Sequence, residues 1–295
     1  MSKLARQVLN HHGKSFSLGG VFLPQKTLDG AAVLYHFCRY CDDTADDVGN
    51  MEEKRQALQD IRGDLQKNQS SHPIISAYLQ LAHKQQIPRK FPVHLLDGLL
   101  SDQEQVHLTN HNQLIQYSYR VAGTVGGMMC GVLGVEHPKA IQHAIDLGIA
   151  MQLTNICRDV LEDLNNDRIY LPSEYLKNKS DWRDPHNLEL VQNEIENTLE
   201  LADKYYQSGR NGFRYIPFWC RFGIHVAAYL YQGIGHKLKR KHHANPMLGR
   251  CYLTHFEKAW VITKACFTFV KNHLFYSRQT PEHQLQLHAP LRDVL

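Results

Sequence analysis

Apolar and polar positions along this 295-residue chain follow a helical rhythm nearly throughout. The clearest segment is 148–172, GIAMQLTNICRDVLEDLNNDRIYLP, where Ile149, Leu153, Ile156, Val160 and Leu164 recur at three- and four-residue steps. At 100° per residue these share one side of a helix, and Gln152, Asn155, Asp159 and Asp163 form a polar stripe beside them. Further helical stretches are 28–48, 51–69, 74–86, 92–104, 111–134, 188–211 and 250–275, punctuated by Pro73, Pro88, Pro92 and Pro172. The stretch 51–69 is charged with sparse apolar positions, a solvated outer helix, whereas 216–235 is rich in aromatics. Residues 173–187 read as a polar connection and 277–295 as a polar tail. No run alternates apolar and polar residues as a half-buried strand would. The pattern predicts an all-α protein, one domain over 1–295, with roughly ten or more helices bundled around a central cavity.

The polar stripe carries two carboxylates one turn apart, Asp159 and Asp163. Like charges so placed repel by a few tenths of a kcal/mol in water and by more among apolar neighbours. A bare DxxxD is ordinarily an acidic face in solvent. Residues 35–47, YHFCRYCDDTADD, change that reading by repeating the pattern. Tyr35, Arg39, Asp42 and Asp46 fall on one helix face, and the second pair lies 117 residues on (42 to 159). Facing each other across a bundle, the two pairs would hold a hard divalent cation; Mg²⁺ takes carboxylate oxygens, waters and substrate phosphates. Each pair has an arginine a turn or less upstream, Arg39 and Arg158, and a guanidinium forks phosphate oxygens. Lys14 and Ser15 stand ahead of a helix break at Pro24, either as phosphate contacts or as plain helix-end residues.

Composition narrows the class further. Hydrophobic residues at 43% and charged residues at 21% are ordinary for a soluble globular protein. A net charge of +4 without a long basic tract argues against a nucleic-acid partner. The nineteen histidines show no HExxH and no His/Cys ligand spacing, and read as surface residues. Seven cysteines behind a polar start read as free thiols of a reducing, cytoplasmic compartment. No stretch reaches the length of a membrane span, so any membrane contact would be peripheral, and a monomer is expected. The basic run 237–243, KLKRKHH, is either a solvated helix end or a contact with anionic lipid. Gly123, Gly127 and Gly131 leave one helix face bare, for close packing or for a long apolar ligand.

CRYCDDTAD and QLTNICRDVLEDLNNDRIYLP, with KSFSLGGVFLP at 14–24 and YSYRVAGTVG at 117–126, resemble the motifs of the squalene/phytoene synthase family. The likeness is nearest to its bacterial phytoene synthase-like members and runs from Lys14 to Lys258. It implies an isoprenoid-synthase-type helical bundle that couples two prenyl diphosphates head to head (1′–1) with Mg²⁺ or Mn²⁺. By resemblance, Asp42, Asp46, Asp159, Asp163 and Asn155 would surround the metal, and Tyr117 would sit near the reacting carbons. Lys14, Ser15, Phe16, Arg39, Gln152, Arg158, Arg168, Tyr170, Tyr231 and Arg250 would contact substrate. A carbocation needs dry walls with aromatic faces, for which Phe16, Phe22, Tyr35, Tyr117, Tyr170 and Tyr231 are candidates. Two geranylgeranyl diphosphates would give phytoene; squalene, dehydrosqualene or presqualene diphosphate from two farnesyl diphosphates are the alternatives, and NADPH is needed only for squalene. A scaffolding member without catalysis should have lost motif carboxylates, and all four are present.

Overall fold

The computed structural model describes residues 5–7, 20–46, 50–103, 106–135, 137–173, 175–274 and 283–295. Lys14, Ser15 and Phe16 lie outside them. Eleven α-helices run from Gln25 to Leu274: α1 Gln25–Asp46, α2 Met51–Lys67, α3 Pro73–Lys84, α4 Lys90–Ser101, α5 His111–Ser118, α6 Thr124–Leu133, α7 Lys139–Asn165, α8 Lys179–Arg183, α9 Leu188–Asn211, α10 Phe218–Lys241 and α11 His255–Leu274. Local chemistry sets many of their ends. Asn50 caps α2 by accepting from the Glu52 amide, and Asn68 closes it with φ at 54°. Pro73 opens α3, Asn110 caps α5 through the Gln113 amide, and Gly134 ends α6 with φ at 68°.

The bundle is built on α7, 27 residues long and buried around most of its circumference. Ile145, Ile149, Leu153, Ile156, Val160 and Leu164 join the main core, packed against α6, α9 and α10. Gln152 and Asn155 of its polar stripe face a cavity of about 280 Å³ whose walls come from α1, α6, α7 and α10. Where α7 crosses α6 and the turn before it, main chains touch. A Cβ on Gly126 would lie 2.1 Å from the Ala144 carbonyl oxygen, and one on Gly148 would lie 2.3 Å from that of Ala122.

Several sequence readings are corrected. The second acidic helix does not run to Pro172: it starts at Lys139 and stops at Asn165, after which Asp167 turns left-handed with φ at 58°. The chain then pairs with 106–108, Ile169 N donating to Val106 O at 3.0 Å and Leu108 N to Ile169 O at 3.1 Å. The stretch 111–134 is three pieces, with a π-helical turn at Tyr119–Gly123 between α5 and α6. That turn rotates the glycine face away from the cavity. Gly127 faces the Phe91 ring, and Gly131 the Gln85 backbone, so these glycines serve packing. The cavity wall takes Val121, Ala122, Val125, Gly126 and Met129 instead.

The C-terminal stretch is not a solvated tail over its described part, 283–295. A 3₁₀ turn at Leu285–Leu291 buries His288 and Leu291, and Tyr205 Oη donates to the Leu287 carbonyl at 2.6 Å. Gln116 Nε2 donates to the Pro290 carbonyl at 2.8 Å. Nor are all histidines at the surface: His143, His225 and His288 are buried in full. His225 is held neutral because burial drives its pKa down to about 4, and it bonds the Ala265 carbonyl of α11. Packing α10 against α11 this way needs a donor, which a hydropathy pattern does not reveal.

The Gly127 contact gives a stability prediction. In Gly127→Leu the new Cβ would sit 2.6 Å from Phe91 Cζ. Overpacking of this kind costs about 1–3 kcal/mol. A thermal melt of the variant should show that loss, and an unchanged melting temperature would contradict the packing assignment.

Candidate active site

α1 and α7 face each other across the cavity. Tyr35, Cys38 and Asp42 line it from one side, and Met151, Gln152 and Asn155 from the other. The helical period of both motifs puts these residues on one face each. Asp42, Gln152 and Asn155 form the polar end. Apart from His143, the remaining wall is mostly apolar, with Leu34, Leu95, Val125, Met129 and Ile224, and Tyr231 of α10 closes one side. Asn155 Nδ2 donates to Gln152 Oε1 at 3.4 Å, leaving Asn155 Oδ1 buried without a hydrogen-bond partner.

The two acidic motifs are joined at this end by Arg168. Its Nη2 meets Asp46 Oδ1 at 2.9 Å, across 122 residues of sequence. The bridge between 106–108 and 168–170 positions it, and puts Tyr170 beside Tyr117. Their rings stack at 4.8 Å, and both hydroxyls donate to Asp102 Oδ2, Tyr117 at 2.8 Å and Tyr170 at 3.3 Å. Gln103 fastens this turn to α1, its Nε2 donating to the Ala45 carbonyl at 3.1 Å.

Arginines rim the second motif. Arg158 forks the carboxylate of neighbouring Asp159, and Arg250 Nε reaches the same group at 3.1 Å while its Nη1 meets Glu162 at 2.9 Å. The 242–249 segment thus places Arg250 at the site. Arg39 pairs with Asp43 one turn on.

These pairings do not offset the crowding of negative charge. Burial, reinforced by Asp46, Asp43 and Asp102 and opposed by Arg39, pushes Asp42 up to about 7. Burial with Asp159, Glu162 and Asp102 pushes Asp163 up to about 7, against the pull of Arg168. Burial lifts Asp102 to about 6 although both tyrosines and Arg168 stabilise its anion. Half-buried carboxylates this close, with Asn155 Oδ1 and Asp102 Oδ1 lacking partners, fit a hard divalent cation.

The structure thus gathers Asp42, Asp46, Asp163, Arg168 and Tyr170 near Asp102, with Asp159, Arg158 and Arg250 alongside Asp163. Gln152, Asn155 and Tyr231 sit on the cavity wall, and Arg39 pairs with Asp43 and also acts on the nearby Asp42. Of the aromatic candidates, Tyr117 and Tyr170 bond Asp102 and stack on each other beside the acidic cluster, and Phe22 is exposed and packs edge-on against Phe222 at 4.8 Å. Sequence reasoning missed Asp102, a lone acid just after an apolar helix. The only sequence sign of it is indirect: two buried tyrosines need an acceptor.

A carboxyl whose pKa is raised by folding destabilises the native state where it is ionised, and stops doing so once protonated. Asp102→Asn removes that charge. Relative to the parent, the variant should therefore gain about 1–2 kcal/mol between pH 5 and pH 8 in metal-free buffer, after discounting for solvent at this half-buried position. Parallel melting curves at the two pH values, showing no widening difference, would contradict the electrostatic account.

The comparisons with known proteins agree with this geometry. A profile of the squalene/phytoene synthase family matches residues 9–257. A phytoene synthase of Rhodobacter capsulatus is 31% identical over 278 residues, covering 90% of this chain and 81% of the relative. One of Thermus thermophilus is 33% identical over 271 residues, covering 89% and 91%. Among solved structures, a dehydrosqualene synthase in complex with ligand superposes with a TM-score of 0.78 at 24% identity, over 92% of this chain and 96% of the other. A chain matched along most of its length, with both acidic motifs brought to one end of an apolar cavity, belongs to the squalene/phytoene synthase family.

Proposed function

We propose that the chain joins two geranylgeranyl diphosphates head to head to give phytoene, through a cyclopropylcarbinyl diphosphate. The observation carrying this reading is the Arg168–Asp46 bridge with Asp102 behind it, which unites both acidic motifs at the polar end of the cavity. The phytoene synthase relatives supply the choice of product.

Asp42, Asp46, Asp159, Asp163 and the Asn155 carbonyl would hold Mg²⁺ or Mn²⁺. When bound, the cations supply positive charge that stabilises the departing diphosphate. Arg158, Arg168 and Arg250 can fork phosphate oxygens, Arg158 and Arg250 by exchanging Asp159 for phosphate. The first C1–O bond breaks with its electron pair on diphosphate, and the allylic cation is left in the apolar cavity. Tyr35 and Tyr231 offer ring faces there, and the dry wall keeps water from the cation. The double bond of the second chain attacks the cation, a proton leaves, and the cyclopropane closes. A second ionisation, rearrangement and proton loss then give the hydrocarbon without a reductant. Asp102 keeps Tyr117 and Tyr170 in place at the edge of the site.

Turnover should fall about a hundredfold or more in Asp42→Asn and in Asp159→Asn with the fold intact. The assay is Mg²⁺-dependent diphosphate release, with the hydrocarbon identified from C15 and C20 diphosphates with and without NADPH. Near-parental turnover in a folded variant would overturn the site. A product formed from C15 alone, or only with NADPH, would overturn phytoene.

The same reading extends to a lipid bilayer as the partner surface. No described helix is long and apolar enough to cross a membrane. The basic run is the weaker candidate, because Lys237 and Lys241 are bound to Glu257, and Lys239 to Glu200. The face of α11 opposite the bundle is a better candidate, because it is apolar. Phe256 is 90% exposed, Trp260 73%, Phe267 72% and Val270 55%, and they fall on one stripe with the exposed Lys264 and Lys271 along its edge. Trp219, 74% exposed, adds to it at the start of α10, whose Ile224 lines the cavity. Aromatics with flanking lysines suit an anionic interface, and a hydrocarbon product insoluble in water needs one nearby. Trp260→Glu with Phe267→Glu should weaken co-sedimentation with phosphatidylglycerol vesicles about tenfold or more. Undiminished binding would refute the assignment, as would dimerisation that the same changes abolish.

A further inference from the structure

At the other end of α7, a second cluster of ligand groups is assembled from three distant segments. Asp146 is 0% exposed and accepts hydrogen bonds from His283 Nε2 at 2.8 Å, His288 Nε2 at 2.7 Å and the Ser208 hydroxyl. His143, one turn before it, touches Ser208 through Nδ1 at 3.3 Å and is also buried. The His143 and His283 rings are 5.3 Å apart, and those of His283 and His288 4.4 Å. One nitrogen atom and one carboxylate oxygen from His143, Asp146 and His283 all lie within 4.8 Å of one another.

Hydrogen bonding does not account for the whole cluster. His283 has a side chain only 5% exposed and meets Asp146 through Nε2, the nitrogen placed to share a ligand with that carboxylate, while its Nδ1 has no hydrogen-bond partner. A buried polar atom is normally satisfied. Three imidazoles around one carboxylate, inside the protein, supply more ligand atoms than the carboxylate can engage.

We propose that His143, Asp146 and His283 bind a divalent transition metal, Zn²⁺ being the natural fit, with His288 holding the other oxygen of Asp146. Imidazole nitrogen and carboxylate oxygen suit Zn²⁺ at about 2.0–2.2 Å, whereas Mg²⁺ prefers oxygen throughout. A carboxylate that ligates the metal while a further group steadies its second oxygen is a common arrangement. The site is separate from the acidic pairs, since Asp146 and Asp159 are thirteen residues apart, about 20 Å along α7. His143 also lines the far end of the cavity. The metal would therefore tie the C-terminal segment to the cavity floor.

The test uses the full chain, stripped with EDTA and titrated with Zn²⁺ in excess Mg²⁺. Bound metal is measured by mass spectrometry and by the visible spectrum of the Co²⁺ form. Parental protein should retain about one Zn²⁺ per chain, melt several degrees higher when loaded, and give a tetrahedral Co²⁺ spectrum. Asp159→Asn with Asp163→Asn should leave all three signals in place. His283→Gln should abolish them while keeping the parental circular dichroism. His143→Ala should do the same if it folds, and His283→Gln is decisive if it does not. Sub-stoichiometric metal with an octahedral Co²⁺ spectrum, or full retention in His283→Gln, would overturn the proposal.

Discussion

Holding several carboxylates against an apolar cavity is unfavourable, and the surrounding fold is arranged to tolerate it. Asp42, Asp102 and Asp163 each carry part of their charge against burial. Tyrosine hydroxyls and an arginine from another segment restrain them. The compensation is partial, as it must be if the site is to accept cations: a fully neutralised cluster would have no remaining affinity for them. The strain is affordable because α7 is anchored elsewhere by a continuous apolar core. Stability is therefore supplied along the shaft of that helix and given up at its end.

Charge and apolar burial also divide the molecule lengthwise. The acidic end of α7 looks to arginines, the middle to hydrocarbon walls, and the other end to histidines around Asp146. One helix thus spans three chemical environments. The π-helical turn at Tyr119–Gly123 serves the same division. Tyr117 on its near side points to Asp102, and Val125 and Met129 beyond it point to the cavity.

The helices and the two acidic pairs were legible because both are local: period and spacing lie within twenty or so residues. Arg168 and Tyr170 were found through resemblance, but their placement depends on the pairing of Ile169 with 106–108, which no periodicity announces. Asp102 carried no motif, and the hydrogen bond it receives from Tyr117 was not legible, because nothing local distinguishes a tyrosine facing a cavity from one facing an acid. The glycine face was ambiguous for a similar reason. A four-residue spacing describes a bare stripe, but a π-helical turn upstream decides where the stripe looks. The histidines were hidden by distance, since 143, 208, 283 and 288 come together only in three dimensions. The charge of KLKRKHH drew attention, whereas its glutamate partners at 200 and 257 could not be assigned without the packing of α9, α10 and α11.

The crossing of α6 and α7 at Gly126 and Gly148 has a further consequence. Both glycines belong to the cavity wall, and there the two main chains already touch. The cavity wall at that point is therefore formed by peptide groups, which side-chain replacement does not move except by prising the helices apart. The cavity's depth, by contrast, is set by ordinary side chains such as Leu133, Phe213 and His143. Such a chamber is lengthened or shortened by exchanging side chains at its floor, while its wall at the crossing is held by the backbone itself.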